Sequence, residues 1–274
     1  MPTGAGYGRH PFPSGFDHLE LMGPRESQTN YFFYPFTWRD VTFLFEDFKG
    51  GGLLEAGVAD FNEGNFASGA SNTGSVDIIA TQLVGGVAQA APGAFIADTV
   101  GIWGEDLWLG DQNAGCEFRY KIDDVDNQNF EVGFTDPLTD EKLVAIADID
   151  TPSVENGAAD VALVARQTGQ TLKSLAFVTD GSTANMNTTA TSLGSRNHVN
   201  AVYEGTRVQL SDDAAQGFII DANSAITELA AHGALIGSRI EGGTLVHPGL
   251  RVEALANSAI LVDIDYIAVW QDRS

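Results

Sequence analysis

The clearest pattern of hydrophobic and polar positions in this chain is a strict alternation between residues 116 and 134. Apolar residues occupy every second position of one segment: Cys116, Phe118, Tyr120 and Ile122. Charged residues fill the positions between them: Glu117, Arg119 and Lys121. A period of two is typical of a β-strand with one buried face. After the polar stretch 123–129 the alternation resumes at Phe130, Val132 and Phe134, so the pattern predicts a β-hairpin.

Short runs of the same kind recur along the chain, and turn-forming Gly, Asp and Ser residues separate many of them. The further predicted strands are Val41–Phe45, Val76–Leu83, Val161–Arg166, Leu172–Val178, Val199–Tyr203, Thr206–Leu210, Leu250–Ala254 and Ile260–Trp270. Ala225–Ala231 fits a helix of one or two turns. There is no internal repeat. Many short strands with turn signals between them predict an all-β fold, a jelly-roll β-sandwich.

The first forty residues follow a different pattern. Residues 1–23 are dotted with Gly, Pro and His and have no periodicity, which indicates an extended, irregular N-terminal arm. An aromatic segment follows, made of Tyr31, Phe32, Phe33, Tyr34, Phe36 and Trp38. This segment either lies on the core of its own domain or docks on another subunit. The predicted division is an arm at 1–40 and a jelly-roll domain at 41–274.

Charge and composition exclude several classes of partner. The chain has 37 Asp and Glu residues against 14 Lys and Arg residues, a formal net charge of −23. Nucleic acids and anionic membrane surfaces both require a basic face, so we expect neither as a partner. No apolar run reaches the roughly 18 residues of a spanning helix, and the first 15 residues do not resemble a signal peptide. The one cysteine, Cys116, excludes an internal disulfide and is expected to be buried and inert.

The closing segment resembles the last strand of concanavalin A-like lectin and glucanase domains. Residues 260–271 read ILVDIDYIAVWQ, similar to the V-D-Y-V-x-V-Y type of strand that ends that jelly roll. Phe45–Phe48 and the strands Glu117–Ile122 and Phe130–Phe134 agree with the same order of elements. In overall character the chain also resembles virion proteins of tailed phages, which carry such domains with similar Gly-, Ala- and Asn-rich composition.

Candidate catalytic groups are few. The resemblance implies an E-x-D-x-E strand if the chain is a glucanase, since a retaining mechanism needs two carboxylates about 5–5.5 Å apart. That pattern is missing. Asp263 and Asp265 lack a third partner and are predicted to be solvent-side or edge carboxylates, and Glu117 is predicted to lie at the surface, although it could face Glu131 across the hairpin. We therefore expect no catalytic residues and no enzymatic activity.

Two further sets of residues carry weaker signals. Asp123, Asp124, Asp126 and Asn127 form either a plain Asx-rich turn or a calcium-binding loop, since hard cations prefer several oxygen ligands. Trp103 and Trp108 either stack on sugars from a loop or belong to the sandwich core. The five histidines show no metal-binding spacing, and His247 is expected at the surface or as a cap. Calcium is the one cofactor that these residues suggest.

These observations favour a non-enzymatic virion structural protein. The expected role is a capsid decoration or minor capsid protein on the outer surface of a particle, made in the host cytoplasm. Its arm would contact the major capsid protein or other virion proteins, and a homo-oligomer is expected, with a trimer favoured. The alternative is a carbohydrate-binding, lectin-like module with a cell-surface glycan as partner. A glycoside hydrolase is the third and weakest hypothesis.

Overall fold

A computed structural model shows the chain as a β-sandwich of two antiparallel sheets. The structure describes residues 41–46, 48, 62–63, 66–79, 87–123, 126–148, 153–167, 173–178, 187–192, 203–210, 215–220, 226–228, 240 and 243–272. The arm at 1–40, including its aromatic segment, lies outside these residues. The docking of the arm therefore stays a prediction.

Nineteen strands lie in the described part of the chain. They are β1 (Val41–Glu46), β2 (Asn62–Glu63), β3 (Phe66–Ala70), β4 (Ser75–Ile79), β5 (Val87–Ala91), β6 (Thr99–Gly104), β7 (Trp108–Leu109), β8 (Gly115–Ile122), β9 (Gln128–Thr135), β10 (Ile146–Asp148), β11 (Ser153–Val154), β12 (Val161–Gln167), β13 (Lys173–Val178), β14 (Asn187–Ser192), β15 (Glu204–Leu210), β16 (Ala215–Ile220), β17 (Ile226–Glu228), β18 (Leu245–Ala254) and β19 (Val262–Asp272).

The strands form two large sheets and one small one. The eight-stranded sheet has the order β17-β16-β15-β8-β19-β5-β4, and β1 also pairs with β19. The nine-stranded sheet has the order β14-β13-β12-β9-β18-β6-β3-β2, and β7 also pairs with β18. Strands β10 and β11 pair only with each other. The predicted all-β jelly-roll sandwich is confirmed.

The predicted hairpin is wrong in one respect. Strands β8 and β9 form where the alternation places them, but they belong to different sheets, because the turn after Ile122 carries the chain across the sandwich. Their apolar faces meet inside, where the ring centroids of Tyr120 and Phe130 lie 4.7 Å apart. Alternation predicts which face of a strand is buried, and it does not distinguish a hydrogen-bonded neighbour from one packed face to face.

The main core fills the space between the two sheets. Strands β8 and β19 contribute Cys116, Phe118, Ile264, Ile267 and Val269 from one side, all fully buried. Strands β9 and β18 contribute apolar residues from the other side: Phe130, Val132, Phe134, Leu250 and Val252. The Tyr120 hydroxyl is satisfied within this core by Thr206 Oγ1 at 2.7 Å.

Two further sequence predictions are corrected. The segment predicted as a short helix contains strand β17, which pairs with β16 at the edge of the eight-stranded sheet. Between residues 57 and 93, where the sequence analysis predicted one strand at Val76–Leu83, the described residues contain four strands, β2 to β5. Among the described residues, none forms a helix long and apolar enough to cross a membrane.

Candidate functional site

Residues 136–148 and 153–160, which we call the strap, lie across the outer face of the nine-stranded sheet between β9 and β12. Leu138, Ala145 and Ile146 of the strap pack against outward residues of β12 such as Leu163. Together these residues form a second, small core. It therefore covers the β9 and β12 side of this face. On the β3 and β6 side, Ala67 and Trp103 are partly exposed among the described residues, and we call this side the uncovered half.

A buried glutamate fixes the strap to the sheet. Glu131 on β9 is fully buried, and its carboxylate accepts backbone hydrogen bonds from Ala145 at 2.7 Å and Ile146 at 3.2 Å. Burial raises the pKa of Glu131 to about 7, although Arg251 opposes this rise. Because both oxygens receive strap N–H groups, Glu131 positions the strap and does not face solvent.

Arg251 on β18 fixes the strap a second time. Its Nε donates to the Glu141 carbonyl at 2.8 Å and its Nη2 donates to Glu141 Oε2 at 3.0 Å. Arg251 Nη1 lies 3.8 Å from Glu131 Oε1 and has no hydrogen-bond partner within the described residues. This fully buried N–H group lies over Gly249, where an added Cβ would come within 2.7 Å of it.

His247 connects the strap to the loop after β6. Its Nδ1 lies 2.7 Å from Asp106 Oδ1, and its Nε2 lies 2.8 Å from Glu141 Oε2. The imidazole is only 1% exposed, so the expected surface position of His247 is wrong. Hydrogen bonds from His247, together with the charges of His247 and Arg251, lower the pKa of Glu141 despite its partial burial.

Glycines allow the strap and Arg251 to lie close to the sheet. A Cβ on Gly101 would lie 3.0 Å from the Lys142 Cα and 3.1 Å from the Glu141 carbonyl oxygen. Gly101 pairs with Arg251, and Gly249 pairs with Trp103, across β6 and β18. The edge of the strap at Glu141 and Lys142 therefore runs beside the position of Trp103.

Trp103 is the aromatic residue of the uncovered half. It is partly exposed, and its cross-strand neighbours are Gly249 on one side and Ala67 on the other. Both neighbours are small, and the Arg251 guanidinium fills the space over Gly249. Two exposed acidic residues, Glu105 and Asp106, follow after Gly104 in the chain. An aromatic surface beside hydrogen-bond acceptors is an arrangement that suits a hydroxyl-rich ligand.

Trp108 does not share this site. It is 4% exposed and belongs to the main core, so its predicted stacking on sugars is corrected to a packing role. The sequence could not separate the two tryptophans, because both have a glycine close by. The pairing partners decide the outcome: Trp108 lies on the short strand β7 opposite Val246, which is fully buried.

The predicted calcium residues lie at the opposite end of β6 from this site. Asp124 lies outside the described residues; Asp123 and Asp126 are exposed. Asp123 Oδ1 accepts a hydrogen bond from the Leu261 backbone at 2.7 Å, which is an ordinary turn contact. Among the described residues, no group of three or more His, Cys, Asp or Glu side chains is arranged to hold a metal. Calcium binding stays a prediction.

The other candidate carboxylates are ion-paired on the outer face of the eight-stranded sheet. Asp263 lies 2.5 Å from Lys121 Nζ, and Asp265 pairs with Arg119. Glu117, expected at the surface, is fully buried and paired with Arg207. Glu117 and Glu131 cannot face each other across a hairpin because their strands lie in different sheets.

The sequence analysis missed the polar network under the strap. Its signal was present in β9 and β18, where Glu131 and Arg251 interrupt otherwise apolar runs. Gly249 and Gly133 lie on the same outward face as these charges. A sheet face that combines glycines with charges within apolar strands indicates that another segment covers it.

Comparison with known proteins supports the fold. No family model matches the chain, and no curated protein matches it significantly in sequence. A protein of unknown function from Shewanella oneidensis matches with a TM-score of 0.53 at 12% identity, over 85% of this chain and 87% of that chain. At such an identity the likeness shows the fold alone.

Two lectin structures resemble the chain less closely. The carbohydrate recognition domain of Emp47p has a TM-score of 0.47 at 11% identity, covering 76% of this chain and 89% of that one. A Lotus tetragonolobus seed lectin has a TM-score of 0.44 at 10% identity, covering 78% and 96%. Nothing in these comparisons connects the chain with virion proteins. The capsid partner, the trimer and the virion location stay predictions.

Proposed function

We propose that this domain is a carbohydrate-binding module that holds its ligand on the uncovered half of the nine-stranded sheet. The observation that carries the proposal is Trp103, a partly exposed indole between Ala67 and Gly249 on a sheet face. The apolar face of a sugar ring would pack on this indole, since an aromatic side chain offers a large flat surface at little conformational cost.

Polar groups around Trp103 suit the hydroxyl groups of a sugar. The carboxylates of Asp106 and Glu141 are 46% and 22% exposed, and they would accept hydrogen bonds from hydroxyl groups. A few fixed polar groups beside an apolar surface are typical of binding sites for small ligands.

We propose further that the module does not cleave its ligand. A glycosidase acid needs a raised pKa and contact with the glycosidic oxygen. The pKa of Glu141 is lowered, which suits a carboxylate that accepts hydrogen bonds. The pKa of Glu131 is raised to about 7, but strap N–H groups occupy both of its oxygens. Glu141 therefore serves to bind the ligand, and Glu131 serves to position the strap.

The test is retardation in native gels that contain dissolved polysaccharides, followed by calorimetry with the matching oligosaccharide. We expect wild type to bind at least one polysaccharide of a broad panel without releasing reducing ends. Trp103→Ala should weaken that binding at least tenfold. Phe95→Ala is the matched control, because Phe95 is 60% exposed in the loop at the other end of β6.

Two outcomes would overturn the binding proposal. One is that no polysaccharide retards the wild-type protein. The other is that Trp103→Ala binds as tightly as Phe95→Ala and wild type. Release of reducing ends from a bound polysaccharide would instead overturn the proposal that the module does not cleave its ligand.

A further inference from the structure

Three leucines lie together at one end of the outer face of the nine-stranded sheet. Leu245 on β18 pairs with Leu109 on β7. Trp108 and Val246 beside them belong to the main core, so the alternation of side chains along a strand turns Leu107, Leu109 and Leu245 outward. Leu107 is 57% exposed, Leu245 is 49% exposed and Leu109 is partly exposed. We call these three residues the leucine patch.

The leucine patch has the character of a contact surface. Single exposed leucines are common on proteins, whereas adjacent ones form a continuous apolar surface that a second element ordinarily covers. Glu105 and Asp106 precede Leu107 directly in the chain and are exposed. A negatively charged partner would therefore be repelled at this edge of the patch, and an uncharged apolar partner fits it.

The chain enters the sandwich next to the leucine patch. Val41, the first residue of β1, pairs with Asp272 on β19. The Asp272 N–H donates to the Gln112 carbonyl at 3.0 Å, and the side chain of the adjacent Gln271 accepts from the Leu109 N–H at 3.0 Å. The start of β1 is therefore one strand spacing, about 4.8 Å, from residues that contact the patch.

The segment that precedes β1 matches the patch in composition and in reach. Residues 31–38 read YFFYPFTW, which is six aromatic residues and no charge. Trp38 is three residues from Val41 and can lie no more than about 10 Å from it, and Tyr31 no more than about 35 Å. Every aromatic residue of the segment can therefore reach the patch of its own chain.

We propose that the aromatic segment 31–38 docks on the leucine patch of its own domain. Packing of aromatic rings on the leucines would remove apolar surface on both sides from water. A tethered segment acts at an effective concentration on the order of millimolar, whereas a second copy would have to approach against a net charge of −23. The inference goes beyond the proposed function and does not depend on it.

Photo-cross-linking tests the contact in the full-length protein. Phe33→p-benzoylphenylalanine replaces one aromatic side chain by another and keeps the segment uncharged. Irradiation of an equal mixture of isotope-labelled and unlabelled chains, followed by mass spectrometry, separates links within a chain from links between chains. We expect links within one chain to the segments that hold Leu107 and Leu245. Links only between chains, or only to other segments, would overturn the proposal.

Hydrogen exchange gives a second measurement that needs no cross-linker. In wild type, the amides of residues 31–38 should exchange about tenfold more slowly than in a free peptide of residues 28–40, because docking restricts their opening. The double variant Leu107→Ser with Leu245→Ser should exchange at nearly the rate of the peptide. Ile96→Ser is the matched control, since Ile96 is 63% exposed in the loop at the other end of β6. It should exchange like wild type.

Three results of this second measurement would overturn the proposal. The first is exchange of the wild-type segment at the rate of the free peptide. The second is slow exchange that persists in the double variant, which would place the segment on another surface. The third is an equal acceleration in Ile96→Ser, which would show a general loss of stability. None of these results bears on ligand binding at Trp103, so the proposed function is tested separately.

Discussion

Arg207 and Glu117 form an ion pair that is sealed against solvent on the outer face of the eight-stranded sheet. Nη2 of Arg207 lies 2.7 Å from Glu117 Oε2, and its Nε donates to the same oxygen at 2.8 Å. The side chains are 2% and 0% exposed. The Tyr266 hydroxyl donates to the other oxygen of Glu117 at 2.5 Å, so both carboxylate oxygens have partners.

Removal of Glu117 should be strongly destabilising. Glu117→Ala would leave the Arg207 charge buried without its counterion, and we expect a loss of about 3–5 kcal/mol in the free energy of unfolding. Urea denaturation would measure it. The matched control is Lys142→Ala, which breaks a partly exposed pair and should cost less than about 1 kcal/mol. Similar losses in the two variants would show that the Arg207–Glu117 pair is not sealed.

Glu131 should make the stability of the protein depend on pH near neutrality. Burial raises the pKa of Glu131 from 4.5 to about 7. In the window between these values the folded state holds a proton that the unfolded state has released, so the stability due to Glu131 falls as pH rises. This difference in the pKa of Glu131 corresponds to roughly 3 kcal/mol in the free energy of unfolding. The contribution is fully present below pH 4.5 and is lost above pH 7.

The check is urea denaturation of wild type and Glu131→Gln between pH 4.5 and pH 8. Glutamine cannot ionise and can still accept from the strap, so wild type should lose stability relative to this variant as pH rises. Glu105→Gln, at an exposed carboxylate that does not contribute to the pKa shift of Glu131, should follow wild type across the range. A wild-type profile parallel to that of Glu131→Gln would contradict the raised pKa.

The sequence predicted the fold class because the strands of a sandwich have one buried face. Such a strand shows in the sequence as an apolar residue at every second position. Cys116, Phe118 and Ile122 face the main core, as their alternation indicated. The sheet that each strand joins could not be predicted. Tyr120 and Phe130 would be buried on the apolar face of their strands both in a hairpin and in two opposed sheets. That choice depends on long-range pairing with β15, β19, β12 and β18.

The candidate site was predicted only in part. Trp103 was singled out, but the residues that surround it come from distant parts of the chain, and Glu141 lies in a segment without a strong pattern. His247 illustrates the difficulty. A histidine at the start of a strand is ordinarily exposed, and here the strap and Asp106 enclose it.

The two tryptophans should differ in their effect on stability. Trp108→Ala would leave a cavity in the main core, and we expect a loss of about 3–5 kcal/mol. Trp103→Ala removes a partly exposed side chain from a sheet face and should cost about 1 kcal/mol. Thermal and urea unfolding of the two variants would measure this difference. Equal losses would place Trp103 in a packing role and weaken its assignment to the binding site.

Gly133 should not tolerate a side chain. It has a positive φ of 149° in the middle of β9, and an added Cβ would lie 2.2 Å from the Ala162 carbonyl oxygen on β12. Because the clash is with backbone, we expect Gly133→Ala to cost more than about 3 kcal/mol or to prevent folding. Gly243→Ala is the control, since φ is 83° there but nothing lies within 4 Å, and it should cost about 1 kcal/mol. Soluble yield and urea midpoints would show the difference; similar values would contradict it.

Cys116 should be inert in the folded protein. Its thiol is fully buried between the sheets, and burial raises its pKa far above the ordinary value. Since the thiolate is the reactive form, a thiol reagent needs both access and deprotonation, and the folded state provides neither. We expect no labelling by Ellman's reagent at pH 8 and one reacted thiol per chain after unfolding in urea. Because labelling would require the sandwich to open, its rate in low urea should follow the unfolding equilibrium, and Glu117→Ala should accelerate it. Rapid labelling of the native protein would show that the two sheets separate far more readily than their packing implies.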